Sequence, residues 1–249
     1  MRALILTLGT ALGAAAALAQ PAVTVFDPAR GFEREVPCPQ ARALFRGDAV
    51  RTVCYGAGTG LGLRCADVPL TNLDAFCQQV AAETGKGAFS RLLALGRDIL
   101  QGTERTGGRR AGQETCPTGL PEGELLLPDG QLVLDARAVG AGPLRAVALT
   151  EAARGARPAF SAATVGPAPV TLDAAALRGR TWALTGRGAQ GAFECRFSVI
   201  AAADADKFIA EYRSLTPAGT AALLERAAFF RQHDFPFEYW RAVDAIKRR

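Results

Sequence analysis

Leu177 to Ile200 reads LRGRTWALTGRGAQGAFECRFSVI, and this stretch decides how the rest of the chain is read. Trp182 and Leu184 alternate with Thr181, Ala183 and Thr185, and Phe193, Cys195, Phe197 and Val199 alternate with Glu194, Arg196 and Ser198. Alternation at period two places one set of side chains on each face of a strand. A glycine-rich turn (Gly186, Gly188, Gly191) separates the two runs, so the stretch predicts a β-hairpin with one buried face.

Upstream of the hairpin the sequence continues as short strands between turns. Pro128-Asp129-Gly130 is a turn signal followed by an apolar strand from Gln131 to Asp135. Leu144–Thr150, Pro158–Val165 and Ala168–Leu172 carry strand character, and strands at this spacing predict an antiparallel sandwich over 116–200. Downstream the period lengthens. Phe208, Ile209, Tyr212 and Leu215 share one helical face. Thr216-Pro217 reads as the N-cap and first residue of a helix reaching Gln232. Pro236 opens a last helix with Phe237, Trp240, Val243 and Ile246 turned inward, so 201–249 ends in a helical hairpin.

The N-terminal part is also strand-rich. Ala22–Phe26, Glu33–Val36, Val50–Tyr55 and Leu61–Ala66 read as strands, and Gly56–Gly62 as a glycine-rich loop. Thr71-Asn72-Leu73-Asp74 has the form of a capping box. Leu73, Phe76, Cys77 and Val80 then follow at helical spacing, and a second helix is expected over Ala88–Gln101. The aperiodic Gly102–Glu114 reads as a linker. The expected fold is α+β, mainly β. A disulfide-stapled N-terminal β domain with helices (20–101) is followed by a linker (102–115), a sandwich (116–200) and C-terminal helices (201–249).

Met1–Ala19 has the features of a secretory signal peptide. Arg2 is followed by a short apolar run, and Ala17-Leu18-Ala19 is a small-x-small cleavage triplet. Retention as a membrane anchor is the alternative; after cleavage no segment is expected to span a membrane. The formal charge of the 249-residue chain is +5, and loss of Arg2 leaves +4. The arginines are scattered, which argues against a nucleic-acid partner. Six cysteines (Cys38, Cys54, Cys65, Cys77, Cys116 and Cys195) form an even set suited to disulfides in an exported protein. With His233 the single histidine and no C-x-x-C spacing, a closed zinc site is not expected. The linker leaves four cysteines before it and two after. Sequence-local pairing then predicts Cys38–Cys54, Cys65–Cys77 and Cys116–Cys195.

Two stretches carry a family resemblance. Leu44-Phe45-Arg46-Gly47-Asp48-Ala49-Val50-Arg51-Thr52 resembles the strand turn of FecR-like periplasmic β domains. Leu177-Arg178-Gly179-Arg180-Thr181-Trp182-Ala183-Leu184, with Gly191-Ala192-Phe193, resembles a hairpin of the Ig-like sandwich that follows such a domain. Exported bacterial proteins of this group end in a tetratricopeptide-like helical tail. The resemblance implies envelope binding or scaffolding and no chemistry. The helix at Asn72–Glu83 departs from the pattern, which has strand or loop there.

Candidate chemistry is sparse. Arg46-Gly47-Asp48 fits a strand-connecting turn, and Gly56–Gly62 and Gly85-Lys86-Gly87 fail the spacing of nucleotide loops. The Arg109-Arg110 pair reads as solvated. His233 lies between two helices without a G-x-S-x-G serine, which suits a helix C-cap. Asp204 and Asp206 suit a helix start more than a calcium loop. The densest aromatic run is Phe229, Phe230, Phe235, Phe237, Tyr239 and Trp240. Trp240 is expected in the core, with Phe235, Phe237 and Tyr239 exposed to anchor a partner. The expected function is non-catalytic binding or scaffolding in the periplasm or outside the cell, without cofactor or metal. The alternatives are a small-ligand binder in the groove between the two parts and an envelope hydrolase using a carboxylate pair.

Overall fold

The computed structural model describes residues 21–27, 30–32, 35–45, 49–57, 62–83, 116–117, 119–136, 142–152, 158–189 and 191–248. The expected leader Met1–Ala19, the helix Ala88–Gln101 and the linker lie outside the described residues, as do Arg46-Gly47-Asp48, Gly85-Lys86-Gly87, Arg109-Arg110 and most of the Gly56–Gly62 loop. The architecture is mixed α+β.

The N-terminal sheet has five strands: β1 (Ala22–Asp27), β2 (Gly31–Phe32), β3 (Val36–Pro37), β4 (Val50–Tyr55) and β5 (Arg64–Pro69). Their order is β2-β1-β4-β5, and β3 also pairs with β1. A 3-10 turn over Cys38–Leu44 and helix α1 (Leu73–Glu83) flank it. The capping box at Thr71 does not form. A 3-10 turn over Leu70–Asn72 occupies the position, Thr71 bonds its neighbour Asn72, and Asp74 pairs with Arg42. Leu73 and Val80 of α1 are buried, as the periodicity predicts.

The sandwich is made of β6 (Gly123–Leu125), β7 (Gln131–Leu134), β8 (Leu144–Glu151), β9 (Phe160–Val165), β10 (Val170–Asp173), β11 (Arg180–Gly188) and β12 (Gly191–Val199). Five strands run in the order β6-β12-β11-β8-β9, with β6 parallel to β12, and β10 and β7 form a second, two-stranded sheet. Leu132 and Leu134 of the small sheet meet Val147, Leu149, Trp182, Leu184, Phe193, Phe197 and Val199 of the large one in a single core. The expected hairpin forms as β11–β12, with Trp182 opposite Phe197 and Leu184 opposite Cys195 on its buried face. Gly186 lies opposite Phe193, and a Cβ there would stand 2.7 Å from the phenyl ring, so the glycine makes room for that ring. The Trp182 indole N–H donates to the Leu177 carbonyl at 2.9 Å, which satisfies its one buried donor.

Three helices follow: α2 (Ala202–Arg213), α3 (Gly219–Gln232) and α4 (Pro236–Lys247). α3 and α4 form the expected hairpin. The apolar faces of these helices pack mainly on the N-terminal sheet. Tyr212, Leu224, Phe229, Phe235, Val243 and Ile246 share one cluster with Phe26, Cys54, Leu63 and Cys65, and Leu126 joins them from the sandwich. Phe237 belongs to the sandwich core instead. The helical hairpin therefore lies between two β structures and buries residues in both.

The disulfides are Cys38–Cys77, Cys54–Cys65 and Cys116–Cys195. The third is the expected pair, and the first two correct the sequence-local scheme. Cys54 faces Cys65 directly across the β4–β5 ladder, so strand register joins them. Cys38 opens the 3-10 turn that packs against α1, which brings it to Cys77.

Candidate functional site

The helical hairpin is fastened to each β structure by a carboxylate that sequence reasoning did not single out. Glu225 of α3 is fully buried, and its Oε1 accepts from the Cys65 N–H at 2.7 Å and its Oε2 from the Thr216 N–H at 2.7 Å. The Thr216 hydroxyl donates to the Cys65 carbonyl at 3.3 Å, and Arg64 donates to the Ser214 carbonyl at 3.1 Å. Thr216 is not the N-cap of α3. The helix starts at Gly219, and its free N–H groups at Thr220 and Ala221 are taken by Asp67 of β5 at 3.0 and 3.3 Å. Gly219 has φ +90, and a Cβ there would collide with the Asp67 carboxylate, so this cap requires glycine.

Glu238 makes the corresponding joint to the sandwich. Its Oε1 accepts from the Leu126 and Leu127 N–H groups at 2.8 and 3.0 Å, just after β6, while Oε2 is buried without a hydrogen-bond partner. Leu127 is held at φ +50, in the left-handed region. Arg178 donates to the Leu126 and Ile200 carbonyls beside the same joint. Burial pushes the Glu238 carboxyl up to about 7, against the N–H bonds from Leu127 and Leu126 and the charge of Arg241.

The aromatic run forms this joint's interior. Phe235 and Phe237 are 1% and 2% exposed, and Tyr239 is also buried, which corrects the expectation that they stand free to anchor a partner. Trp240, expected in the core, is only half-buried at its edge. The physical reason is the turn at His233-Asp234. Asp234 takes φ +58 and the Phe235 N–H returns to the Phe230 carbonyl, which folds Phe235 under Phe208 at a ring distance of 5.4 Å. His233 caps α3, as expected, through its backbone N–H to the Phe229 carbonyl, and its ring meets Glu211 at 3.1 Å. Asp204 lies in the first turn of α2, as the sequence suggests.

An open groove of about 360 Å³ separates the last helix from the small sheet of the sandwich. Arg241, Asp244, Ala245 and Arg248 line one side, at the one-face spacing of a helix, and Gly119, Val133 and Asp135 line the other. The chain places them there by alternation. Leu132 and Leu134 of β7 point into the core, so Val133 points outward. Arg241 rests over the Phe237 ring at 5.5 Å, and the Arg248 guanidinium donates to the Asp244 carbonyl at 3.3 Å. Among the described residues no carboxylate is ion-paired with either guanidinium. A second groove of about 530 Å³ runs along the 3-10 turn, but its cation, Arg42, is already paired with Asp74.

No group of three or more His, Cys, Asp or Glu among the described residues could hold a metal ion. No described helix is long and apolar enough to cross a membrane. Three disulfides, with no free cysteine among the described residues, point to an oxidising compartment. No family model matches the chain, and neither a curated protein nor a solved structure matches it significantly.

Proposed function

We propose that the chain is a non-catalytic binding protein of the bacterial cell envelope, periplasmic or secreted, and that the groove between the sandwich and the last helix receives its ligand or partner. One observation carries this reading: two guanidinium groups, Arg241 and Arg248, line that groove without an ionic partner among the described residues. The FecR-like, Ig-like and tetratricopeptide-like reading of the whole chain keeps the support of the motifs at Leu44–Thr52 and Leu177–Phe193. The hydrolase alternative has less support. The carboxyl with the raised pKa, Glu238, is enclosed in the core and occupied by two backbone N–H groups. With Phe235, Phe237 and Tyr239 buried, the groove replaces the aromatic tip as the contact surface.

A photoreactive residue placed at Ala245 in cells tests this reading, with the exposed Ser161 of β9 as the control position. The expected result is a discrete adduct at position 245, absent at 161, whose mass distinguishes a small ligand from a protein. Indistinguishable adduct patterns at the two positions would contradict the groove as the binding surface.

A further inference from the structure

The charges along α4 say what kind of ligand the groove suits. Arg241 and Asp244 are three residues apart, a rise of about 4.5 Å, and Arg248 lies roughly 6 Å further along the same face. Asp135 faces them from the sandwich. A ligand of one sign meets opposition here. A phosphate or dicarboxylate attracted by the two guanidiniums meets the Asp244 carboxylate between them, and a polyamine attracted by that carboxylate meets two arginines. A ligand carrying both signs a few ångströms apart satisfies both. At about 360 Å³ the groove is at the small end of the range for ligand sites, roughly 300–1,000 Å³, and its apolar contacts, Val133 and Ala245, are short.

We infer that the groove binds a small zwitterion, a free amino acid or short peptide, whose carboxylate pairs with Arg241 and whose ammonium pairs with Asp244. This rests on the reading of the groove as the binding site. The Arg241 guanidinium lies over the Phe237 ring, 5.5 Å from its centroid, a cation–π contact that favours its place at the groove before a carboxylate arrives. Arg248 stands where a second carboxylate of an acidic ligand would reach.

The test is titration of the full chain with dialanine, N-acetyl-dialanine and dialanine amide, following the Val133 and Ala245 amide resonances. Dialanine is expected to shift both, and each blocked form to bind at least tenfold more weakly. Arg241→Ala is expected to abolish discrimination against the amide, and Asp244→Asn discrimination against the acetylated form. Equal binding of all three probes, or equal binding of acetate or phosphate, overturns the zwitterion while leaving the groove a binding site. No shift with any probe but a protein adduct at position 245 overturns the ligand class alone. No shift and no adduct overturns both readings.

Discussion

The two joints of the helical hairpin use the same device with different completeness. At the N-terminal sheet, both oxygens of Glu225 accept a backbone N–H. At the sandwich, one oxygen of Glu238 accepts two N–H groups and the other accepts none. A buried carboxylate is costly unless its oxygens are occupied. The first joint is therefore a saturated clamp, while the second sits near its own titration point, with a carboxyl raised to about 7 by burial. The difference teaches that the hairpin is bound firmly to one β structure and conditionally to the other. The groove lies on the conditional side, since Arg241 acts on Glu238 and lines the groove.

The largest effects fall on the buried packing and the cross-link on either side of the hairpin. Phe235→Ala empties a fully buried site beneath Phe208, and a loss of about 3–5 kcal/mol in chemical denaturation is expected. Trp240→Ala, at the half-buried edge, is expected to cost less; the reverse order would undo the placement of the hairpin. Replacing the Cys116–Cys195 pair by serines removes a link between positions 79 residues apart and is expected to cost about 4 kcal/mol on the loop-entropy account, read from the same unfolding curves.

The next predictions separate the joints. Glu225→Ala leaves the buried Cys65 N–H and the half-buried Thr216 N–H unpaired, a cost of roughly 3 kcal/mol read from chemical denaturation. Glu238 behaves differently. Its folded pKa lies above the usual carboxyl value of 4.5, so its contribution to stability is full below about pH 4.5 and is lost as pH rises to about 7. The shift corresponds to about 3 kcal/mol across that window, and Glu238→Gln is expected to flatten the decline. An unchanged pH slope in that variant would make the second joint no more conditional than the first. The smallest effect is at the Asp67 cap, where Gly219→Ala is expected to cost about 1–2 kcal/mol through its positive φ and the crowding of Asp67.

Local periodicity made much of the fold legible. The β11–β12 hairpin, the turn at Pro128–Gly130, the limits of β4 and the helical hairpin follow from patterns within a few residues of each other. The cysteine pairs of the first sheet depend on register. The signal for one was present, since strands ending near Tyr55 and resuming after the glycine-rich loop place Cys54 opposite Cys65. The joints were hidden because charged residues on helices are usually solvated. Their signal is positional. Glu225 falls on the apolar stripe Ala221, Leu224, Ala228, and Glu238 on the stripe Phe235, Tyr239, Ala242. The Asp67 cap joins residues more than 150 positions apart, and no local pattern announces it. The groove depends likewise on α4 meeting β7, although its helical half, Arg241, Asp244, Ala245 and Arg248, is written at helical spacing.

The central claim is that two carboxylates fasten one helical hairpin to two separate β structures. Site-resolved amide hydrogen exchange, under conditions that report local opening, tests it most directly. Glu225→Ala is expected to speed exchange at Cys65 and Thr216 while leaving Leu126 and Leu127 unchanged, and Glu238→Ala is expected to do the reverse. Equal acceleration of all four amides in both variants would contradict the account, because it would mean that the two joints open as one.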